Sequence, residues 1–526
     1  MFRYTAALIA LSLPFLTEQA FAQVDDATWH RITSGLDGFM EQAEQMQEFP
    51  PGAAVIVVTD DGRRYIRMHG VLNAQTGAPA TAESEFYIAS MTKAYVGLLA
   101  ARLDAEGVFP LTTTLAEVWP DLQMPEGRDA MSITMRDLLS HQAAISADEI
   151  GYLEAYVRDV APSEYPGLIE RYATARESGF QYSNLGYNIY AAALEQVTEI
   201  NWRDWLDQDV FTPLGLDQTS GRTSDFDPAD VAWGHRRTGA HQDDWPRANG
   251  WYLIPPKPDG MMQSAGGLMT SASDMARWME IQLTGETPAR SGITPAMIAL
   301  THDTIAVQQG DGDGFTCDGY GFGWNVCEYL YPGDAAADFG TILQHGGGYT
   351  GYRTGMTLAP DLGLGVAVFT NSDSMTGFLS LEITKQALEL ALDLPAREQW
   401  QARRLDVYGR QNQRYLDHLQ NQVSGARADA QWNGWSWAPA ADELATYTGT
   451  YSNPDFVLGS VEIEAGETGL VLRSDALTYQ LEPASPDLFG GQTNAYSGID
   501  NFTFLRGEDG SVVALDWDGD RLERVQ

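Results

Sequence analysis

Segments with β-strand character occur early in the chain and again after residue 319, and a long, mostly helical stretch separates them. The run AAVIVVTDDGRRYIRMHG (53–70) predicts two strands joined by an Asp-Asp-Gly turn. Four further strand-like segments follow later: YGFGWNVCEYLY, TILQHGG, YRTGMTLAP and LGVAVFTNS. Segments so far apart can share one sheet only if the chain between them forms an insertion. We therefore predict an α+β fold, an antiparallel sheet flanked by helices with a largely helical insertion that reaches to about residue 310.

The C-terminal part of the chain has a different pattern. Residues 441–526 contain short alternating segments such as TYTGTYSN, GLVLRS, NFTFLRG and SVVALDWDG, separated by turn residues. A spacing of roughly 8 to 12 residues between turns is typical of a small β-barrel or sandwich. Residues 396–423 predict a polar connecting helix, and residues 424–440 a linker. The chain is thus expected to divide into a main unit (23–395), a connecting segment (396–440) and a C-terminal β domain (441–526).

The first 22 residues have the pattern of a secretory signal peptide. Arg3 precedes an apolar core at residues 6–16, and Ala20-Phe21-Ala22 forms a small-x-small cleavage site. A retained membrane anchor is the alternative, but the apolar core is short for a span, and no later segment has 18 uninterrupted apolar residues. We expect cleavage before Gln23, export to the periplasm or beyond, and no membrane insertion afterwards.

Charge and motif content exclude several classes of partner. A net charge of -40 repels nucleic acid, so no nucleic-acid partner is expected. The chain has no His-Glu-x-x-His motif and no phosphate-binding loop, so no metal and no cofactor is expected. Its two cysteines, Cys317 and Cys327, form either a disulfide outside the cytoplasm or two reduced, buried thiols. The sequence leaves a homo-oligomer open.

A lysine lies in the middle of an almost wholly apolar segment, YIASMTKAYVGLLAARL (87–103). The chain has only three lysines, Lys93, Lys257 and Lys385, and only Lys93 follows a serine by three residues. Positions i and i+3 share a helical face, so Ser90 and Lys93 can meet. Burial lowers the pKa of a lysine, and a neutral lysine can accept the proton of a serine. The alternative is a lysine whose stem packs while its ammonium reaches water.

Two further motifs follow in the chain. Tyr182-Ser183-Asn184 precedes the helical pattern LGYNIYAAALEQVTE, and His345-Gly346-Gly347 lies in LQHGGGYTGYRTGM. The order Ser-x-x-Lys, Tyr-x-Asn, His-x-Gly resembles that of the serine β-lactamases and penicillin-binding-protein-like hydrolases. The stretches ITMRDLLSHQAAI, SAGGLMTSASDMARWM and YGFGWNV are similar to that family too, and the resemblance covers roughly residues 30–394.

The resemblance implies a fold and a set of roles. The fold is an antiparallel sheet flanked by helices, with an all-α subdomain. Ser90 is implied as the nucleophile, Lys93 as its base and Tyr182 as the proton relay to the leaving group.

The resemblance also implies how substrate is held. Asn184 would hydrogen-bond the substrate amide, and His345 and Gly347 would line the edge strand beside it. Backbone N–H groups of Ser90 and Gly348 would form the oxyanion hole, as suits donors at a helix N-terminus and a strand edge.

The sequence departs from the family pattern in two places. His345 stands where β-lactamases have a lysine, and HQAA after DLLS lacks the usual glycine-containing continuation. His141, in that segment, is interpreted as a packed, structural histidine. A second Tyr-Ser-Asn at residues 451–453 precedes Pro454 and is interpreted as a turn.

These observations predict an exported serine hydrolase that acts through an acyl-enzyme on small amides or esters. Peptides containing D-amino acids are the favoured substrates, as for D-aminopeptidases or D-Ala-D-Ala carboxypeptidases. A carboxylesterase or weak β-lactamase is the alternative within the same chemistry. A binding or scaffold protein with a retired active site is the alternative of another class.

Overall fold

The computed structural model describes residues 24–46, 49–237, 247–312, 314–331, 337–373, 376–394, 397–475, 477–491 and 499–525. The predicted signal peptide, residues 1–22, and Pro395 lie outside these described residues. Within them, no helix combines the length and apolar character that crossing a membrane requires.

An eight-stranded antiparallel sheet forms the centre of the main unit. Its spatial order is β3-β4-β5-β6-β7-β8-β1-β2, so the N-terminal strand β1 pairs with β8, the last strand of the sheet in chain order. This confirms the predicted antiparallel sheet with an insertion. In chain order the strands are β1 (Gly52–Thr59), β2 (Arg64–Gly70), β3 (Ala306–Gly312), β4 (Phe315–Tyr320), β5 (Asn325–Tyr329), β6 (Ile342–Tyr349), β7 (Tyr352–Ala359) and β8 (Leu364–Thr370).

Two of these strands were not expected from the sequence. β3 lies where a helical and loop-rich stretch was predicted, and β4 lies in FTCDGY, which the sequence pattern left without a strand. That prediction was wrong because β3 is the edge strand, paired on one side only, where no alternation of apolar residues is needed. Val307 of this strand is 75% exposed.

Helices cover both faces of the sheet. Successive side chains of a strand point to opposite faces. Ala53, Val55 and Val57 accordingly pack with the terminal helices, and Ala54, Ile56 and Val58 pack with the internal ones. The helices are α1 (Asp26–Ala43), α2 (Thr92–Ala105), α3 (Leu115–Val118), α4 (Met135–Leu139), α5 (Asp148–Tyr152), α6 (Tyr165–Tyr172), α7 (Leu185–Thr198), α8 (Trp202–Leu206), α9 (Thr212–Leu214), α10 (Ala272–Thr284), α11 (Pro295–His302), α12 (Thr376–Ala391), α13 (Arg397–Arg427) and α14 (Ala441–Leu444).

The insertion between β2 and β3 holds the helical subdomain, α3 to α9. Two segments of it are π-helical, Leu153–Val157 after α5 and Asp207–Phe211 after α8. In the described residues of the insertion, short strands form three small sheets: Phe86–Tyr87 with Met269–Thr270 and Thr219–Ser220; Ile145–Ser146 with Thr174–Ala175; and Gly234–Arg236 with Trp251–Ile254 and Arg247–Ala248.

The C-terminal region is a closed eight-stranded barrel, which confirms the predicted barrel-like fold and decides between barrel and sandwich. The sequence pattern did not separate β13 and β16 as strands, because one is four residues long and the other is mostly polar. The strands are β9 (Gly449–Ser452), β10 (Ser460–Ala465), β11 (Leu470–Ser474), β12 (Leu477–Ser485), β13 (Leu488–Gly491), β14 (Asp500–Arg506), β15 (Val512–Trp517) and β16 (Asp520–Arg524).

The barrel contacts the helical subdomain directly. The hydroxyl groups of Tyr479 in β12 and Tyr152 in α5 lie 2.8 Å apart. The carboxylate of Asp455 lies 3.3 Å from the guanidinium of Arg171 in α6. Helix α13 precedes the barrel and continues to Arg427, four residues into the segment for which a linker is predicted.

Candidate active site

A cavity of about 710 Å³ opens between the end of β6, the start of α2 and the helical subdomain. Its lining includes Ser90, Asn184, Gln263 and Gly348. Five tyrosines also line it, and they come from four separate parts of the chain: Tyr87, Tyr152, Tyr156, Tyr182 and Tyr349.

Ser90 and Lys93 meet as their spacing predicts. Ser90 lies in a 3₁₀ turn, Ala89–Met91, that leads directly into α2, so the two side chains share the helical face. The Lys93 Nζ atom lies 3.0 Å from the Ser90 Oγ atom. Ala89 has a φ of 46°, a left-handed conformation that costs energy for a residue with a Cβ. The turn that carries Ser90 is therefore held in place by the structure around it.

The surroundings of Lys93 contain two fixed acceptors. Its Nζ atom lies 2.8 Å from the Asn184 Oδ1 atom and 2.6 Å from the Ala265 carbonyl oxygen. Both acceptors are uncharged, and the Lys93 side chain is fully buried. Burial therefore holds the pKa of Lys93 well below that of a free lysine. A neutral amine that donates its two N–H bonds to Asn184 and Ala265 keeps its lone pair for the hydroxyl of Ser90.

Tyr182 and Asn184 reach the site from the segment just before α7. Tyr182 is 44% exposed, since its ring faces the open cavity, and its ring centroid lies 5.0 Å from the Lys93 Nζ atom. Enclosure by the site raises the pKa of Tyr182, and a hydrogen bond with Ser90 acts in the opposite direction. The net effect is a rise, so Tyr182 carries its proton at neutral pH. Asn184 contacts Lys93, as described above, and also lines the cavity.

His345 lies behind the cavity lining rather than in it. The ring is 4% exposed, and its centroid lies 6.0 Å from that of Tyr182. Its Nδ1 atom lies 2.8 Å from the Gly346 carbonyl, and its Nε2 atom lies 3.3 Å from the Tyr320 hydroxyl. Burial lowers the pKa of His345 to about 3. The histidine is therefore neutral at neutral pH and offers no cation to an anionic substrate.

Gly347 and Gly348 have separate parts in the geometry of β6. A Cβ atom on Gly347 would lie 2.1 Å from the Ile88 carbonyl oxygen, so only glycine lets β6 approach the turn before Ser90. Gly348 lines the cavity together with Ser90. The pairing of β6 with β5 runs only from Ile342 to Gln344. Beyond it, the backbone of β6 leaves β5 and faces the turn that carries Ser90.

The two cysteines are bonded to each other in the structure. Cys317 in β4 and Cys327 in β5 are opposite residues of neighbouring strands. The Nε2 atom of Gln344 lies 3.3 Å from one sulfur and 3.2 Å from the other. The disulfide thus lies beside the residue that precedes His345, outside the cavity lining.

Several residues around the cavity were missed by sequence reasoning. Tyr349 directly follows His-Gly-Gly-Gly, which is a signal that could have been used. Tyr152 and Tyr156 lie on α5 and the following π-helical segment, where nothing local marks them. Lys257 is buried with its Nζ atom 4.3 Å from the centroid of the Tyr349 ring, and burial lowers its pKa to about 7. Across the described residues, no group of three or more His, Cys, Asp or Glu could hold a metal ion.

The family model described as "Beta-lactamase" matches residues 36–391. The chain belongs to the beta-lactamase family. Penicillin-binding protein 4 of Amycolatopsis lactamdurans is 27% identical to it over 344 residues, which is 63% of this chain and 83% of that protein. The chain is therefore a hydrolase with the serine β-lactamase fold.

Solved structures share this fold. The octameric penicillin-binding protein homologue from Pyrococcus abyssi superposes with a TM-score of 0.55 at 20% identity and covers 95% of this chain and 100% of its own. D-amino acid amidase from Ochrobactrum anthropi SV3 superposes with a TM-score of 0.54 at 18% identity and covers 69% of this chain and 98% of its own. EstCE1, a hydrolase with promiscuous acyltransferase activity, superposes with a TM-score of 0.56 at 22% identity and covers 70% of this chain and 100% of its own. At these identities the likeness concerns the fold alone.

Proposed function

We propose that the chain is an exported serine hydrolase that cleaves small amides or esters through an acyl-enzyme on Ser90. The observation that supports this most is the neutral, buried Lys93, whose two uncharged acceptors leave its lone pair for Ser90. A lysine held in this form is a general base near neutral pH. A retired active site would have no reason to retain a buried amine that costs stability.

The first half of the reaction forms the acyl-enzyme. Lys93 takes the proton of Ser90, the Oγ atom bonds to the substrate carbonyl carbon, and the carbonyl π electrons move to its oxygen. Backbone N–H groups of Ser90 and Gly348 stabilise that oxyanion. The oxyanion then collapses, the bond to the leaving group breaks, and the proton passes from Lys93 through Tyr182 to the leaving nitrogen or oxygen.

The second half returns the enzyme to its resting state. A water molecule gives a proton to Lys93 and attacks the ester carbon, and the Ser90 Oγ atom leaves with that proton. Because Tyr182 is protonated at neutral pH, it acts by passing a proton on rather than as a phenolate base.

The position of His345 favours substrates without a carboxylate beside the scissile bond. The neutral His345 supplies no counter-ion there, and the net charge of -40 weakly repels anions. Asp148 lines the cavity and suits a free amino group. A structural neighbour is a D-amino acid amidase. We therefore propose amides and short peptides of D-amino acids as the substrate class, cleaved in the manner of a D-aminopeptidase. For cleavage in the manner of a D-Ala-D-Ala carboxypeptidase, the substrate carboxylate would need the guanidinium of Arg176, which also lines the cavity.

A carboxylesterase is the second candidate function, because an ester would use the same groups and EstCE1 shares the fold. We also propose that residues 23–395 form the hydrolase domain, residues 396–440 the connection and residues 441–526 a separate β domain. A homo-oligomer would be compatible with this arrangement.

The test is a labelling and substrate experiment on the mature chain. A fluorophosphonate should add to Ser90, as detected by peptide mass, and Ser90→Ala should lose both label and turnover. D-alanyl amides should exceed nitrocefin by at least about tenfold in kcat/KM, or about 1.4 kcal/mol. That ratio should stay constant between pH 5 and 8, because His345 does not titrate there. Label on another residue would overturn the nucleophile, and nitrocefin as best substrate would make the enzyme a β-lactamase.

A further inference from the structure

His141 holds the backbone on both sides of Tyr182. The Gln181 N–H donates to the His141 carbonyl oxygen over 2.9 Å, and the Ser183 N–H donates to the His141 Nδ1 atom over 3.2 Å. The imidazole centroid lies 4.5 Å from that of the Tyr182 ring. One residue thus contacts the neighbour before Tyr182, the neighbour after it and its side chain.

The backbone at His141 is bent to make these contacts. Its φ is 59°, in the left-handed region that residues with a Cβ rarely adopt. The turn is fixed by the N–H groups of Gln142 and Ala143, which both donate to the Asp137 carbonyl oxygen over 2.8 and 3.1 Å. Asp137 is itself held by Thr134, the N-cap of α4, with which it forms a capping box. His141 is therefore held from the α4 side, and the Tyr182 segment is attached to it.

The protonation state of His141 suits this arrangement. Because Nδ1 accepts a hydrogen bond, the ring proton is on Nε2. Burial lowers the pKa of His141 well below its usual value, so Nδ1 stays an acceptor at neutral pH. The buried Nε2 atom has no hydrogen-bond partner among the described residues. Glycine or asparagine would fit the left-handed turn without that cost, so the turn alone does not explain the histidine.

We propose that His141 is a positioning residue for Tyr182, holding its hydroxyl where it can pass a proton from Lys93 to the leaving group. This inference rests on the proposed function of Tyr182. It goes beyond the packed, structural role expected from the sequence, because it ties His141 to one chemical step. If Tyr182 is less firmly held, kcat should fall for substrates whose leaving group needs a proton. It should change little for substrates whose leaving group departs as a stable anion.

The test compares a D-alanyl anilide with the matching D-alanyl p-nitrophenyl ester. His141→Gly keeps the left-handed backbone but removes the ring and the acceptor. We expect kcat for the anilide to fall at least thirtyfold with KM within threefold, and kcat for the ester to fall less than threefold. His141→Asn keeps an acceptor for the Ser183 N–H, and its loss on the anilide should be only three- to tenfold.

His302 offers a matched control. It is partly buried, desolvation lowers its pKa to about 4, and its Nε2 atom lies 2.9 Å from the Gln282 Oε1 atom, outside the cavity lining. His302→Asn should leave the anilide-to-ester ratio unchanged. In a Tyr182→Phe background, His141→Asn should cost nothing more on the anilide.

Equal losses of the two substrates, or full additivity with Tyr182→Phe, would overturn the positioning role while wild-type labelling at Ser90 keeps the hydrolase assignment. If the glycine variant does not fold, as judged by thermal unfolding, the ratio for His141→Asn decides in the same way. A wild-type enzyme that cleaves neither substrate would overturn the inference together with the proposed function.

Discussion

The tripeptide Tyr-Ser-Asn occurs in two regions of this molecule and does different things in each. Tyr182 faces the cavity, and Asn184 accepts a hydrogen bond from Lys93. Tyr451 is fully buried in the barrel and donates to the Tyr447 carbonyl oxygen over 2.7 Å. Asn453 accepts from the Asp455 N–H over 2.8 Å and closes a turn, which agrees with its interpretation as a turn residue.

The surroundings explain the difference. In the described barrel residues from 441 to 525, Ser474 is the only buried side chain that is neither apolar nor aromatic, and aromatic rings fill the interior. The main unit buries Lys93, Lys257, His141 and His345, each with its pKa shifted toward the neutral form. Locally consistent packing is typical of a part selected for stability, and costly buried polar groups are typical of a functional site. We expect Tyr-Ser-Asn to take part in chemistry only where it contacts buried ionisable groups of this kind.

Lys93→Met should give the largest effect, because it removes the group that distinguishes the first region from the second. We expect kcat/KM to fall at least about 10³-fold. The midpoint of thermal unfolding should stay or rise, since a buried amine is replaced by an apolar side chain of similar length. Lys385→Met is the control: Lys385 pairs with Glu382 over 2.9 Å on α12, so activity should persist while stability falls by about 1 kcal/mol. An active Lys93→Met enzyme would contradict the assignment of the base.

Replacing Tyr182 and Tyr451 by phenylalanine, one at a time, tests the comparison between the two regions. Tyr182→Phe should lower kcat on amides by about 10²-fold without changing the free energy of unfolding, because a general acid or base contributes that much. Tyr451→Phe should leave kcat unchanged and lower the free energy of unfolding by about 1 kcal/mol, because the Tyr447 carbonyl loses its partner. Urea unfolding and steady-state kinetics on both variants are sufficient. The comparison fails if both variants lose the same property.

Glu154 extends the contrast to stability and pH. It is buried in the π-helical segment, and burial raises its pKa to about 8. Between pH 4.5 and 8 the folded chain keeps this proton while the unfolded chain releases it. The free energy of unfolding of the wild type therefore falls as the pH rises through this range. Glu154→Gln should therefore gain about 3 kcal/mol of stability relative to wild type as the pH rises from 5 to 8. Glu462→Gln, a substitution at an exposed position of the barrel, is the control. The measurement is the free energy of unfolding against pH, and parallel profiles for Glu154→Gln and wild type would contradict the effect of burial on Glu154.

The two asparagines should give the smallest effects. Asn184→Ala removes one of the acceptors that orient Lys93, and we expect kcat to fall about tenfold with little change in stability. Asn453→Ala should leave kcat alone and cost about 0.5 to 1 kcal/mol through its turn. Measuring kcat on the amide and the unfolding midpoint for both separates the roles. A loss of activity in Asn453→Ala would show that the barrel turn acts on the cavity.

The sequence alone determined the parts of the site that local geometry controls. Ser90 and Lys93 meet because three residues make nearly one helical turn, and that relation needs no knowledge of the fold. The alternating strands of the sheet and the barrel were readable for the same reason. Tyr182, Asn184 and His345 could be named only through resemblance to a family, since nothing local relates them to Ser90.

Only the tertiary structure decided what depends on long-range packing. It placed His345 behind the lining, where burial keeps it neutral, and it brought Tyr152 and Tyr156 to the cavity. It also closed the barrel through β13 and β16, whose sequences carry little strand pattern. Burial, dielectric surroundings and contacts between distant segments are properties of the whole fold, and no window of the sequence contains them. This is why one Tyr-Ser-Asn faces the cavity and the other supports a barrel.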